Sequence, residues 1–155
     1  EGPFAPERSG GLPCFQLAEM ATQDGVTFPE MMRRMQRKGG LMDWFGTSDA
    51  REIERRIHEG DGKAALVYEA MAHNLAKNIG KLAVVTRGRL DAILLTGGVA
   101  RSRMLTDWVA ERVSFLAPVH VLPGENEMES LALGVLRVLR GEEEAHTFAE
   151  RTEAS

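Results

Sequence analysis

An arginine in a glycine-rich loop is the first candidate for chemistry in this chain. Arg8 stands beside Ser9, Gly10 and Gly11, in a stretch where proline and glycine exclude helix and strand. A guanidinium fork, a hydroxyl and backbone N–H groups can converge on an anion in such a loop. A solvated arginine in a surface loop is the simpler interpretation of this stretch taken alone.

A glycine pair after an apolar run is the second candidate. The run Ala92–Leu95 predicts a strand covered on both faces, and Gly97 and Gly98 follow it. The glycines allow positive φ and a close approach of ligand to backbone, and ligands of open α/β sheets bind at this end of the strands. A βα turn whose glycines serve packing alone fits the pattern equally well.

Two helix starts carry further charged residues. Asp49 and Glu52 have capping-box spacing, which predicts that a helix begins at Asp49. Arg51 faces the positive end of that helix dipole and therefore indicates a ligand or a carboxylate partner. Three glutamates over residues 125–129 crowd the start of the last predicted helix. The dipole explains them without a metal.

Hydrophobic periodicity predicts the elements that position these residues. Helices are expected over residues 15–21, 27–37, 49–59, 62–87, 102–115 and 127–140, and strands over about 91–96 and 119–122. The order helix, strand, helix, strand implies a parallel strand pair in a helix-rich α/β fold. Residues 1–141 form the predicted domain, and 142–155 an acidic C-terminal tail.

Several residues have simpler interpretations. Gly39-Gly40 ends the helix predicted over residues 27–37, and Asn74 and Asn78 fit the solvent face of the long helix. The apolar stripe of that helix is typical of a core helix. Cys14 is the only cysteine. It excludes a disulfide within the chain and is most simply buried without chemistry.

Composition excludes several classes of protein. The chain has 155 residues, of which 43% are hydrophobic and 27% charged, which is ordinary for a globular domain with a core. The net charge of −4, without a dense basic run, disfavours nucleic-acid binding. The sequence has neither an apolar stretch of membrane-span length nor a secretory hydrophobic region, so we expect no membrane contact and a cytoplasmic location.

Five segments carry a family resemblance. They are EGPFAPERSGGLP, KGGLMDWFGTSDAREIE, GDGKAALVYEAMAHNLAKNIG, LDAILLTGGVARS and FLAPVHVLPGENEMESLALGVLRVLRGEEEA. In order and spacing they resemble the C-terminal part of butyrate kinases, in the acetate kinase branch of the sugar kinase–Hsp70–actin superfamily. The resemblance implies a partial ribonuclease-H-like (actin-like ATPase) C-terminal domain. It also implies reversible, ATP-dependent phosphorylation of a short-chain carboxylate, butanoate, to its acyl phosphate.

The resemblance also implies roles for individual residues. Arg8 matches the family arginine that neutralises the phosphoryl group in flight, and Glu127 matches a carboxylate associated with Mg²⁺ through water. The residues expected to bind ATP or ADP are Asp49, Ala50, Arg51, Thr96, Gly97, Gly98, Val99 and Ser102.

The resemblance covers only part of the family's length. It implies that an N-terminal half with a phosphate loop lies outside this sequence, so we expect this segment alone to lack kinase activity. Expected partners are the carboxylate or acyl phosphate, that missing half, and a second copy, for which the long helix is a candidate interface. Two alternatives are an activator ATPase of the superfamily, which would usually carry iron–sulfur cysteines, and a non-catalytic remnant that binds nucleotide weakly.

Overall fold

A computed structural model describes residues 2–124 and 127–145, which divide into two compact units, Glu1–Pro123 and Gly124–Ser155. The elements of the first unit are α1 (Cys14–Ala21), α2 (Phe28–Gln36), α3 (Leu41–Phe45), α4 (Ala50–His58), α5 (Gly62–Ala83), β1 (Ile93–Gly97), a 3₁₀ turn (Gly98–Arg101), α6 (Arg103–Val113) and β2 (Val119–Pro123). The second unit contains α7 (Glu127–Leu139). Of the predicted acidic tail, residues 142–145 are exposed and 146–155 lie outside the described residues.

The two strands form a parallel pair. Ile93 lies opposite Val119, and Gly97 lies opposite Pro123. A parallel pair needs a crossover connection, and α6 supplies it. This arrangement confirms the predicted helix-rich α/β fold with two parallel strands.

The prediction that β1 is covered on both faces is wrong for this unit. Ile93 is 8% exposed, whereas its neighbour Leu94 is 59% exposed. Ile93 packs into the core that α5 and α6 form, but no described element of this unit covers the side of the sheet that carries Leu94. An unbroken apolar run cannot by itself distinguish these two situations.

The core is built around α5. Tyr68, Ile53 of α4, and Leu105 and Val109 of α6 are fully or almost fully buried in one cluster. Burying one such side chain stabilises a fold by roughly 1.5–3 kcal/mol. The apolar stripe predicted for the long helix is therefore the core face of α5, except that Leu82, which the prediction included, is exposed.

The helix α5 ends four residues earlier than predicted. Arg87 takes a positive φ of 56°, and the Gly88 N–H donates to the carbonyl of Ala83 at 2.9 Å. This left-handed residue and this bond turn the chain out of the helix, although Val84 and Val85 continue the apolar pattern. Cys14 is exposed at the start of α1, so the prediction that it is buried is also wrong. No helix among the described residues is long and apolar enough to cross a bilayer.

Candidate functional site

Residues 2–12, which we call the arginine loop, are held by backbone hydrogen bonds. Three of these bonds join the loop to α2, α3 and the segment between them. They are Ser9 N–H to the Met35 carbonyl (2.9 Å), Gly39 N–H to the Glu7 carbonyl (3.2 Å) and Met42 N–H to the Pro6 carbonyl (3.0 Å). The backbone beside Arg8 is thus fixed on both sides of that residue.

The glycine pair Gly39-Gly40 makes this docking possible. A Cβ at Gly40 would lie 1.8 Å from the Ala5 carbonyl oxygen, and one at Gly39 would lie 2.5 Å from Ser9 N. Gly40 also takes a φ of +66°, which residues other than glycine rarely adopt. The sequence predicted only that these glycines end a helix, and their contact with the loop is a second function.

A side chain of α5 also holds the arginine loop. The amide Oδ1 of Asn74 accepts the backbone N–H of Phe4 at 3.0 Å, and Asn78 Nδ2 donates to the Asn74 carbonyl at 2.8 Å. Both asparagines are partly buried. Assigning them to a solvent-facing side was therefore wrong, because a loop distant in sequence covers that part of α5.

The side chain of Arg8 extends from this fixed backbone into solvent. Its guanidinium lies over Gly2, where a Cβ would come within 3.2 Å of Nη1. Arg8 is exposed and forms no ion pair with any carboxylate in the described part of the chain. An exposed cation on a fixed backbone suits either an anionic ligand or solvent.

Asp49 and Arg51 form a paired group at the start of α4. Asp49 Oδ1 accepts the Arg51 backbone N–H at 3.0 Å and its Nε at 3.0 Å, while Oδ2 accepts from Nη2 at 2.8 Å. Hydrogen bonding to Arg51 lowers the pKa of the Asp49 carboxyl, and the same bond raises the pKa of Arg51. Of the two predicted explanations for Arg51, the structure shows the carboxylate partner.

The predicted capping box is only half formed. Asp49 caps α4, but Glu52 turns to Arg56 one helical turn later, and this bond lowers the pKa of Glu52. The Asp49 N–H donates instead to Thr47 Oγ1 at 3.2 Å. Ala50 is half-buried against the core, so a ligand would meet it through its backbone.

The turn after β1 is open on its outer side. Gly97 takes φ +83° and ψ −175°, and a Cβ placed there would meet nothing within 4 Å. A conformation that requires glycine, without a packing requirement, disfavours the interpretation that Gly97 serves packing alone. Thr96, Gly98 and Val99 are exposed around it. The backbone of this turn is therefore accessible to a ligand.

Ser102 differs from the other predicted nucleotide contacts because it is buried, with 8% exposure. Its hydroxyl donates to Glu54 and accepts from the Tyr68 hydroxyl at 2.9 Å and from Leu105 N–H at 3.0 Å. A hydroxyl has one donor and two lone pairs, so this set is complete. A bond from Ser102 Oγ to a nucleotide would require one of these bonds to break.

Sequence reasoning missed Glu54 and Tyr68. Burial and the charge of Glu54 raise the pKa of Tyr68, which keeps its hydroxyl protonated. The available signal was a single tyrosine within a core stripe, because a buried phenol needs a hydrogen-bond partner.

Glu127, the predicted magnesium residue, begins α7 in the second unit, and its side chain lies outside what the structure describes. Its role stays a prediction. Within the described ranges, no three His, Cys, Asp or Glu side chains are grouped to hold a metal ion.

The chain is similar to carboxylate kinases. It is 48% identical over 142 residues to probable butyrate kinase 2 of Caldanaerobacter subterraneus subsp. tengcongensis, a match that covers 92% of this chain and 40% of that protein. The chain thus spans about two fifths of the length of this curated relative.

Solved structures show the same fold. Porphyromonas gingivalis acetate kinase superposes with a TM-score of 0.74 at 22% identity, covering 88% of this chain and 41% of that one. A propionate kinase from Francisella tularensis superposes with a TM-score of 0.69 at 20% identity, covering 83% of this chain and 39% of that one. Acetate kinase from Entamoeba histolytica superposes with a TM-score of 0.71 at 21% identity, covering 86% of this chain and 42% of that one. Residues 1–128 match the acetokinase family. The chain therefore belongs to the acetokinase family.

Proposed function

We propose that this chain forms the nucleotide-binding side of a kinase that transfers the γ-phosphoryl group of ATP to a short-chain carboxylate such as butanoate. The reverse reaction transfers the phosphoryl group of the acyl phosphate to ADP. The 48% identity with a probable butyrate kinase carries this proposal. All the proposed site residues, from Arg8 to Glu127, lie within the residues that match the family.

The adenosine part of the nucleotide is proposed to bind between the open turn Thr96–Val99 and the start of α4. The accessible backbone around Gly97 supports this placement, because a nucleotide can approach it without meeting a side chain at that residue. Arg51 supports it too. Its side chain is 90% exposed, so the planar face of the guanidinium is available for stacking while Asp49 fixes its orientation.

Arg8 is proposed to stabilise the phosphoryl group during transfer. Its exposed guanidinium, held on a fixed backbone, can hydrogen-bond to the equatorial oxygens of an in-line transfer. The substrate carboxylate is the nucleophile, so the chain needs no nucleophilic side chain. Mg²⁺, associated through water with Glu127, would neutralise charge on the phosphates when bound.

The remaining parts of the enzyme are also proposals. Residues equivalent to the rest of the relatives' length would supply the phosphate loop and much of the acyl pocket, so this chain alone would be inactive. A second copy would meet α5 through its exposed apolar residues, such as Leu66, since most of the stripe is used in the core. We expect the protein in the cytoplasm. The family match favours a kinase over an activator ATPase.

The proposal is tested in the complete protein that the gene encodes, by trapping butanoyl phosphate as its hydroxamate with ATP and Mg²⁺ present. Arg8→Ala is expected to lower kcat by about 10²–10³-fold, the usual loss when one transition-state donor is removed. Arg103→Ala is the matched control, because Arg103 is a 93% exposed arginine paired with Asp107 on α6.

Two outcomes contradict the proposal. Either the complete protein forms no acyl phosphate, or Arg8→Ala retains the rate of Arg103→Ala. An inactive complete protein that still binds ADP would instead support the non-catalytic remnant.

A further inference from the structure

A hydrogen-bond network of two buried hydroxyls and one partly buried carboxylate joins α4, α5 and the start of α6. The Tyr68 hydroxyl, from α5, lies 2.9 Å from Ser102 Oγ and 3.1 Å from Glu54 Oε1. Ser102 Oγ also donates to Glu54 on α4. The residues joined are 48 and 34 positions apart in sequence, so the network is tertiary and not local.

The surroundings of the network make it rigid. Tyr68 is fully buried, and its ring meets Trp108 edge-on with ring centroids 5.9 Å apart. Ser102 Oγ is fixed a further time because it caps α6 at Leu105 N–H. Buried networks with every member satisfied hold their elements in one arrangement.

The network adjoins both proposed nucleotide-contacting segments along the chain. Glu54 is three residues after Arg51, which is about 4.5 Å along a helix axis. Ser102 ends the 3₁₀ turn that begins at Gly98, and its N–H donates to the Val99 carbonyl at 3.1 Å. A displacement of Ser102 against Glu54 would therefore change the separation of the turn and the start of α4.

We propose that Glu54, Tyr68 and Ser102 are positioning residues that set the distance between the Gly97–Val99 turn and the Asp49–Arg51 pair, and thereby nucleotide affinity. This inference rests on the proposed function for the identity of the ligand. In this proposal the three residues act through the two segments, so the Ser102 hydroxyl would not make the direct contact with ATP or ADP that the sequence predicted. They act on the affinity for ATP and ADP, and leave the transfer step and the carboxylate site unchanged.

The test is a set of variants of the complete protein. Tyr68→Phe removes one hydroxyl and keeps the ring that packs on Trp108. Losing one buried hydrogen bond is expected to raise KM for ATP about tenfold, while kcat and KM for the carboxylate stay within about twofold. Glu54→Gln keeps an acceptor oxygen, so its KM for ATP is expected to lie between the values of wild type and Glu54→Ala.

Thr106→Val is the matched control. Thr106 is also buried on α6, but its hydroxyl donates only to carbonyls of Ser102 and Arg103 at the start of its own helix. We expect this variant to lose stability without a selective change in KM for ATP. If Tyr68→Phe and Thr106→Val raise that KM equally, or if Tyr68→Phe changes kcat and both KM values together, the positioning role is overturned.

Hydrogen–deuterium exchange separates this inference from the proposed function. Tyr68→Phe is expected to speed amide exchange in residues 97–102 at least tenfold more than Thr106→Val does. If wild type makes no acyl phosphate, the proposed function fails, and this exchange difference still decides whether the network holds the turn. Equal exchange in the two variants overturns the positioning role of the network. Should Tyr68→Phe not fold, Glu54→Ala gives the same comparison, because Glu54 accepts from both other members of the network.

Discussion

The arginine loop and the turn after β1 are positioned in opposite ways. Backbone hydrogen bonds, with one amide side chain from Asn74, hold the loop from outside. The buried hydroxyls of Tyr68 and Ser102 and the partly buried carboxylate of Glu54 hold the turn from inside. The loop is consequently sensitive to atoms added at distant glycines, whereas the turn is sensitive to polar atoms removed from the core.

The largest effect in this comparison is expected from Gly40→Ala. The new Cβ would lie 1.8 Å from the Ala5 carbonyl oxygen, at a φ of +66°. Overpacking together with the left-handed conformation is expected to lower the free energy of unfolding by about 2–4 kcal/mol. Urea denaturation measures this loss, and proteolysis within residues 2–12 shows whether the loop undocks.

Gly46→Ala provides the control for this variant. Gly46 has a similar φ of +70°, but a Cβ there meets nothing within 4 Å. Gly46→Ala should lower the free energy of unfolding only by the cost of the left-handed conformation, about 1 kcal/mol. Equal losses for the two alanines would show that contact with the arginine loop is not what requires Gly40.

A smaller effect is expected from Asn74→Ala. The change leaves the partly buried Phe4 N–H without its acceptor, which costs about 1–2 kcal/mol. Amide exchange near Phe4 should speed up while the turn at residues 97–102 keeps its protection. Lys77→Ala, an exposed change on the same helix, is the control. Faster exchange in the turn would mean that the two regions are not positioned independently.

The smallest effect is a pH dependence at Asp49. Its folded pKa lies below the usual 3.8 because Arg51 hydrogen-bonds to the carboxylate. The associated stability is complete above that value and is lost as the pH falls through the lowered folded pKa. A carboxyl NMR titration should show a midpoint below 3.8 that rises in Arg51→Gln.

Arg55→Gln is the control for the titration, since Arg55 pairs with Glu59 at the other end of the same helix. It should leave the Asp49 midpoint in place. A midpoint that shifts equally in both variants would assign the lowered pKa to overall charge and not to the pair.

Local patterns predicted what depends on local forces. The cap at Asp49, most of the core face of α5 and the parallel strand pair were confirmed, because capping and periodicity act within a few residues. The predictions for the end of α5 and for the outer face of β1 were wrong. Both features depend on which elements pack beside a helix or strand, and an apolar run contains no information about that.

The contacts that position the candidate site are long-range, and for that reason sequence patterns missed them. In sequence, Gly40 is typical of a helix stop, Asn74 of a polar surface residue and Tyr68 of a core residue. Local patterns do not show that Gly40 contacts Ala5, that Asn74 accepts from Phe4, or that Tyr68 donates to Ser102. Local patterns singled out Arg8, Gly97 and Arg51 as candidates, but the roles proposed for them rest on the family resemblance. Glu127 lies where the structure describes no side chain.

The bond between Phe4 and Asn74 also bears on how the protein is made. Seventy residues separate its partners. At typical synthesis rates of about 5–20 residues per second, the arginine loop waits about 4–14 s for its acceptor on α5. The bonds that join this loop to residues 35–42 can therefore form before its bond to Asn74 exists. During that interval a ribosome-bound chaperone could hold the loop without competing with any native contact to α5.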